Sequence, residues 1–215
     1  MAESLVIRPS WDKTTTVLNG WAGLIVNLLR QQRQSVTQPS PVEDIDGTKA
    51  TRQNIEQKLQ STGKLVVFYG HGESDALKGH KAHQQEEVVI DTANSHRLKD
   101  KLVYVVSCYS SETLGPDAVG NGALAYLGYS EKFGFFASQG VVDNFRQCAN
   151  VGLEQLVKGN TIQVAFDEIR NQYDIYIYQY SRGSSATHLN AWSIFTTMFW
   201  NKHHLKLDGD HTQKL

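Results

Sequence analysis

The sequence predicts an α/β fold, with a mostly parallel central sheet and helices on both faces. Three observations carry that expectation. Lys64-Leu65-Val66-Val67-Phe68-Tyr69 and Leu102-Val103-Tyr104-Val105-Val106 are continuous apolar runs, the pattern of strands buried on both faces. Stretches with helical periodicity lie around these runs, and strands alternating with helices imply parallel crossovers. The 215 residues are 40% hydrophobic and 20% charged, which suits a single domain spanning 1–215 with a core of its own.

In chain order, Leu5-Val6-Ile7 reads as a short buried strand stopped by Pro9. Val17, Leu18, Trp21, Leu24, Ile25, Leu28 and Leu29 then keep one face of an amphipathic helix, which Asp12 or Thr14 could cap. The polar stretch from Gln34 to Gly47 reads as a connecting loop, and a shorter helix is expected over 48–60, ended by Gly63. After Tyr69 a polar, His-rich loop is expected to Glu87, with a short strand at Val88-Val89-Ile90. Beyond Val106 come two apolar stretches, Ala123 to Leu127 and Phe133 to Phe136, and a helix from Val141 to Val157. Ile162, Ala165, Phe166, Ile169, Tyr173, Tyr176, Ile177 and Tyr180 hold one face of a long helix. The next helix is expected to bury Leu189, Trp192, Phe195, Met198 and Phe199, and Leu205-Lys206-Leu207 reads as an edge strand.

Composition excludes several function classes. A net charge of -1 gives no basic stripe for nucleic acid or an anionic membrane surface. No segment approaches the ~20 apolar residues of a membrane span. Glu3 stands where a secretory signal would carry Lys or Arg, and Arg8-Pro9 follows soon after Ile7, so the cytoplasm is the expected compartment. Two cysteines, Cys108 and Cys148, cannot form a disulfide framework in a chain this long.

His71 and Cys108 each come just past the carboxyl end of a long apolar run, 37 positions apart. In parallel sheets the ligand site lies beyond those ends, and neighbouring strands are only ~4.8 Å apart. A thiol needs a base beside it, because the thiolate is the nucleophile and free Cys is mostly protonated at neutral pH. His71 would activate Cys108 and then protonate a leaving amine. Gly72 lets the backbone approach a substrate, and its N–H, with that of Cys108, would bind an oxyanion.

The two segments Leu65-Val66-Val67-Phe68-Tyr69-Gly70-His71-Gly72 and Leu102-Val103-Tyr104-Val105-Val106-Ser107-Cys108 resemble the caspase-like cysteine peptidases. That group includes caspases, gingipains, clostripain, legumain, separase and CHAT domains, and the chain is most similar to stand-alone bacterial CHAT or gingipain-like domains. The resemblance implies a caspase-like three-layer sandwich and a cysteine endopeptidase with His71 and Cys108 as its dyad. It implies a protein or peptide substrate, no cofactor and no metal, and regulation by a separate protein or by proteolytic activation. The chain departs from caspases proper, whose His lies ~50 residues upstream within a different Cys motif. Relatives that cleave after Arg or Lys often carry an acid two residues before the Cys, lining the S1 pocket; Val106 stands there. Either Asp12, Asp143 or another loop acid supplies a charge to that pocket, or the residue before the scissile bond is uncharged, and the second is the expectation.

Two other function classes stay open: a catalytically silent relative binding partners through the same cleft, and an unrelated doubly wound binding domain. Retention of both His71 and Cys108 favours a peptidase. Cys148 lies on a helix without a partner of this kind and reads as packing. His80, His83 and His96, with Glu86, Glu87 and Asp91, lack metal-ligand spacing and read as a solvated loop. The aromatic set Tyr173, Tyr176, Tyr178 and Tyr180 reads as core rather than a base-stacking surface.

Overall fold

The computed structural model describes residues 2–32, 42–82 and 85–215. Among these, eight strands and six α-helices alternate as β1 (Ala2–Arg8), α1 (Lys13–Gln32), β2 (Val42–Asp46), α2 (Arg52–Ser61), β3 (Thr62–Tyr69), β4 (Ala76–Ala82), β5 (Gln85–Asp91), β6 (Leu102–Val106), α3 (Leu114–Gly120), β7 (Ala125–Tyr129), α4 (Val142–Val157), α5 (Ile162–Ser181), α6 (Ala191–His204) and β8 (Leu205–Gly209). The main sheet has the order β2-β1-β3-β6-β7-β8, and β4 with β5 forms a separate hairpin. Its first five strands run parallel, and β8 closes the edge antiparallel to β7.

Alternation along the central strands splits the core into two layers. Leu65, Val67 and Tyr69 of β3 and Leu102, Tyr104 and Val106 of β6 face α1, α4 and α5. Val66, Phe68, Val103 and Val105 face the side of α2, α3 and the hairpin. Both faces are therefore dry, which is why Leu65 to Tyr69 of β3 and all of β6 are continuous apolar runs.

Four expectations are corrected. The loop foreseen from Gln34 to Gly47 contains β2, paired in parallel with β1 from Ser4↔Val42 to Arg8↔Asp46; residues 33–41 lie outside the described set. β2 buries only Ile45 fully, and Arg8 neutralises Asp44 (2.7 Å) and Asp46 (3.0 Å), so the strand carries charge instead of an apolar signal. The His-rich loop is largely the β4–β5 hairpin, which is seated by Leu77, Val89 and Ile90. The helix foreseen over 48–60 is a 3-10 turn at Gly47–Lys49 followed by α2, capped by Thr51. Finally, α6 buries Ala191, Ile194 and Met198, while Leu189, Trp192 and Phe199 are exposed, as are Leu24 of α1 and Tyr178 of α5. Periodicity finds a stripe on a helix, but a helix with two apolar stripes leaves open which one the core takes.

Candidate active site

β3 and β6 are adjacent, with Tyr69 opposite Val106, and the N–H of Gly70 donates to the Val106 carbonyl (3.2 Å). The two chains therefore leave the sheet side by side, one into His71-Gly72 and the other into Ser107-Cys108. A cleft of about 460 Å³ opens there, lined by His71 and Cys108 together with Lys13, Thr14, Lys132, Phe133, Gly134, Phe135 and Ala137.

His71 is held from the β1–α1 connection. Its Nε2 lies 2.8 Å from Asp12 Oδ2, and the Trp11 ring stands 5.5 Å from the imidazole, centroid to centroid. Asp12 is fixed in turn because its other oxygen caps α1, accepting from the Thr15 N–H (2.6 Å) and hydroxyl (2.7 Å). Burial pushes the Asp12 carboxyl up, but the hydrogen bonds from His71 and Thr15 outweigh it and leave it below the usual carboxylate range.

Cys108 sits at a sharp bend. The next residue, Tyr109, has φ 57, a left-handed conformation costing a non-glycine residue ~1–2 kcal/mol. Its N–H donates to the Glu131 carbonyl (3.0 Å), and Ser111 N–H to that of Tyr129 (3.0 Å), so β7 and its exit segment hold the bend in place. The thiol is half-buried and contacts the Phe133 carbonyl at 3.7 Å. Burial pushes its pKa up, opposed by that hydrogen bond and by the charge of Lys132.

Gly72 forms an isolated antiparallel bridge with Leu77. The bridge uses the His71 carbonyl and the Glu73 N–H, which leaves the Gly72 N–H outside the ladder. A Cβ there would stand 2.7 Å from Ser107 Oγ and 2.8 Å from the Cys108 carbonyl oxygen. Glycine thus lets the two strand exits touch.

The structure brings Asp12, His71, Gly72 and Cys108 together. Val106 is buried in the α1–α4 layer, and Asp143 stands exposed in the first turn of α4, paired with Arg146 (3.0 Å); neither lines the cleft. Cys148 is fully buried. Among the described residues no group of three His, Cys, Asp or Glu is placed to hold a metal ion, and His83 lies outside them. Sequence reasoning missed Asn201, a fully buried polar side chain of α6. It accepts from the Gly134 N–H (3.1 Å) and donates to the Gly134 carbonyl (2.7 Å), clamping the cleft wall. An amide in the buried stripe of a helix was the available signal.

No family model matches the chain, and no curated protein matches it. Solved structures do. One is a complex of the pro- and mature domains of RgpB from Porphyromonas gingivalis, with TM-score 0.65 and 13% identity over 99% of this chain and 48% of that one. This is the caspase-like, gingipain-type fold. A structure of the Arg specific cysteine proteinase gingipain R matches with TM-score 0.63 and 13% identity, covering 99% and 47% of the two chains. Another protease matches with TM-score 0.58 and 13% identity, over 99% and 48%. The chain spans about half the length of these gingipain-fold chains. No described helix is long and apolar enough to cross a membrane.

Proposed function

We propose that this protein is a cysteine endopeptidase acting on protein or peptide substrates, with Cys108 as nucleophile and His71 as general acid–base. The reading takes 1–215 as one peptidase domain of the CHAT or gingipain kind, working in the cytoplasm without a cofactor and regulated by a separate protein or by proteolytic activation. One observation carries it: His71 and Cys108 leave adjacent strands and line one cleft, with the imidazole held by Asp12.

In this reading Asp12 engages Nε2 and leaves Nδ1 to take the Cys108 proton. The thiolate attacks the scissile carbonyl carbon, and the resulting oxyanion accepts from the N–H groups of Cys108 and Gly72. His71 gives its proton to the leaving amine, and the acyl group stays on sulfur as a thioester. Water, deprotonated by His71, then releases the acid and restores the thiol. Asp12 stabilises the imidazolium throughout, acting as a positioning residue. Arg specificity, named for one structural neighbour, is not carried over, because none of the described residues lining the cleft is an acid.

A second reading, a silent module that binds partners in the same cleft, draws on the Cys108 thiol, whose pKa burial pushes up. Cleavage of a peptide library by wild type, Cys108→Ala and His71→Ala separates the two. The peptidase reading expects turnover in wild type alone, with both variants folded. Near-wild-type turnover in either variant removes that residue from the dyad.

A further inference from the structure

The charge of the cleft departs from what Val106 led the sequence to suggest. Two lysines line it, Lys13 and Lys132, and the other described lining residues are His71, Cys108, Thr14, Phe133, Gly134, Phe135 and Ala137. Both lysine side chains are exposed, and neither enters an ion pair among the described residues. The nearest acid on the same element is Asp12, whose two oxygens are already taken by His71 and Thr15. Glu131 lines an adjoining cleft that Lys132 also borders, and is not among the residues lining this one.

The backbones that carry the two cations are fixed. Lys13 opens α1 next to the Asp12 cap. The Lys132 carbonyl accepts from the Trp200 indole (3.0 Å), and Gly134 is clamped by Asn201. The Lys132 charge reaches the nucleophile, since it opposes the upward push of burial on the Cys108 thiol. A basic side chain entering this space would meet two like charges and no carboxylate among the described lining residues, whereas a carboxylate would gain charge-assisted hydrogen bonds.

We infer that the cleft selects an acidic side chain, Asp or Glu, on the acyl side of the bond to be cut, read by Lys13 and Lys132. The inference rests on the peptidase reading for the word "cut", but not for the preference itself. The partly apolar wall of Phe133 and Phe135 would pack against the methylene stem of that residue, leaving the carboxylate to the ammonium groups.

The test uses matched peptides with Asp, Glu, Leu or Arg at that position, read in two ways: kcat/KM with wild type, and fluorescence anisotropy with Cys108→Ala. The acidic peptides should exceed the Leu peptide by about tenfold in both, equivalent to ~1.4 kcal/mol. Lys13→Glu and Lys132→Glu should each move the preference about tenfold toward Arg with an unchanged melting temperature, because both side chains are exposed. Raising the salt concentration should shrink the acidic preference. If Leu or Arg peptides bind best, the inference is overturned, whatever the turnover. If no peptide is cut while Cys108→Ala still binds acidic peptides preferentially, the peptidase reading fails and the acidic-ligand reading stands. Equal binding of all four peptides overturns it as well.

Discussion

Asp12 is where one side chain serves two structures. One oxygen caps α1 through Thr15 and the other holds the His71 ring nitrogen. Asn caps a helix about as well as Asp does, so Asp12→Asn separates these duties. It should leave the melting temperature within a few degrees of wild type, lower kcat by about tenfold to a hundredfold and leave KM nearly unchanged. That loss is part of the ~10²–10⁴ that a well-positioned acid–base group supplies. A fall in melting temperature matching the loss of activity would make Asp12 merely structural. The sequence offered Asp12 as a cap and as a pocket acid; its closeness to His71 spans 59 positions and has no local signal. Gly72 shows the converse. The glycine was legible, but its close approach to Ser107 and Cys108 means that any side chain there pushes on the nucleophile's backbone, so a substitution cannot isolate an oxyanion-binding N–H.

Elements far apart in sequence build the cleft wall. Residues 132–137 adopt no regular structure, yet Phe133 packs on Tyr129 (ring centroids 4.8 Å) and Phe135 on Trp21 of α1 (4.9 Å). Asn201 of α6 then takes both backbone groups of Gly134. Removing that amide orphans a donor and an acceptor, each costing ~1–3 kcal/mol when buried. Asn201→Ala should therefore destabilise the fold by about 2 kcal/mol in a urea melt. It should also raise KM more than it lowers kcat, since the wall and not the dyad loosens. An unchanged KM would show that the wall stands without its clamp. β2 and the β4–β5 hairpin were hidden from sequence reading because each is a marginal layer. β2 adds only Ile45 and the Arg8 pairs with Asp44 and Asp46 to its ladder with β1, and the hairpin buries only Ala76, Leu77, Val89 and Ile90 among its apolar side chains.

At the scale of the molecule, the two thiols sit in different environments. Cys108 lines an open cleft and Cys148 is sealed between the sheet and α4. Cys148 can react only when the fold opens, and a stability of ~5–15 kcal/mol makes that opening rarer than one molecule in about a thousand. A small alkylating reagent should label Cys108 at least a hundredfold faster than Cys148 in the native protein, and urea should abolish the difference. Because burial raises the Cys108 thiol, its labelling should keep climbing with pH beyond the range where free cysteine levels off. Equal, slow labelling of both would count against the peptidase and the open cleft alike.

The sequence by itself determined the two doubly buried central strands, the long helices and the placement of His71 and Cys108 at strand ends. These follow from periodicity and from where apolar runs stop, both written locally in the chain. Tertiary structure alone decided that Asp12 faces His71, that Val106 is interior and Asp143 lies outside the cleft lining, and that Lys13 and Lys132 share a cleft with the thiol. Those facts depend on how crossovers fold back over the sheet edge. Contacts between residues tens of positions apart are set by the packing of whole layers, which no window of sequence contains.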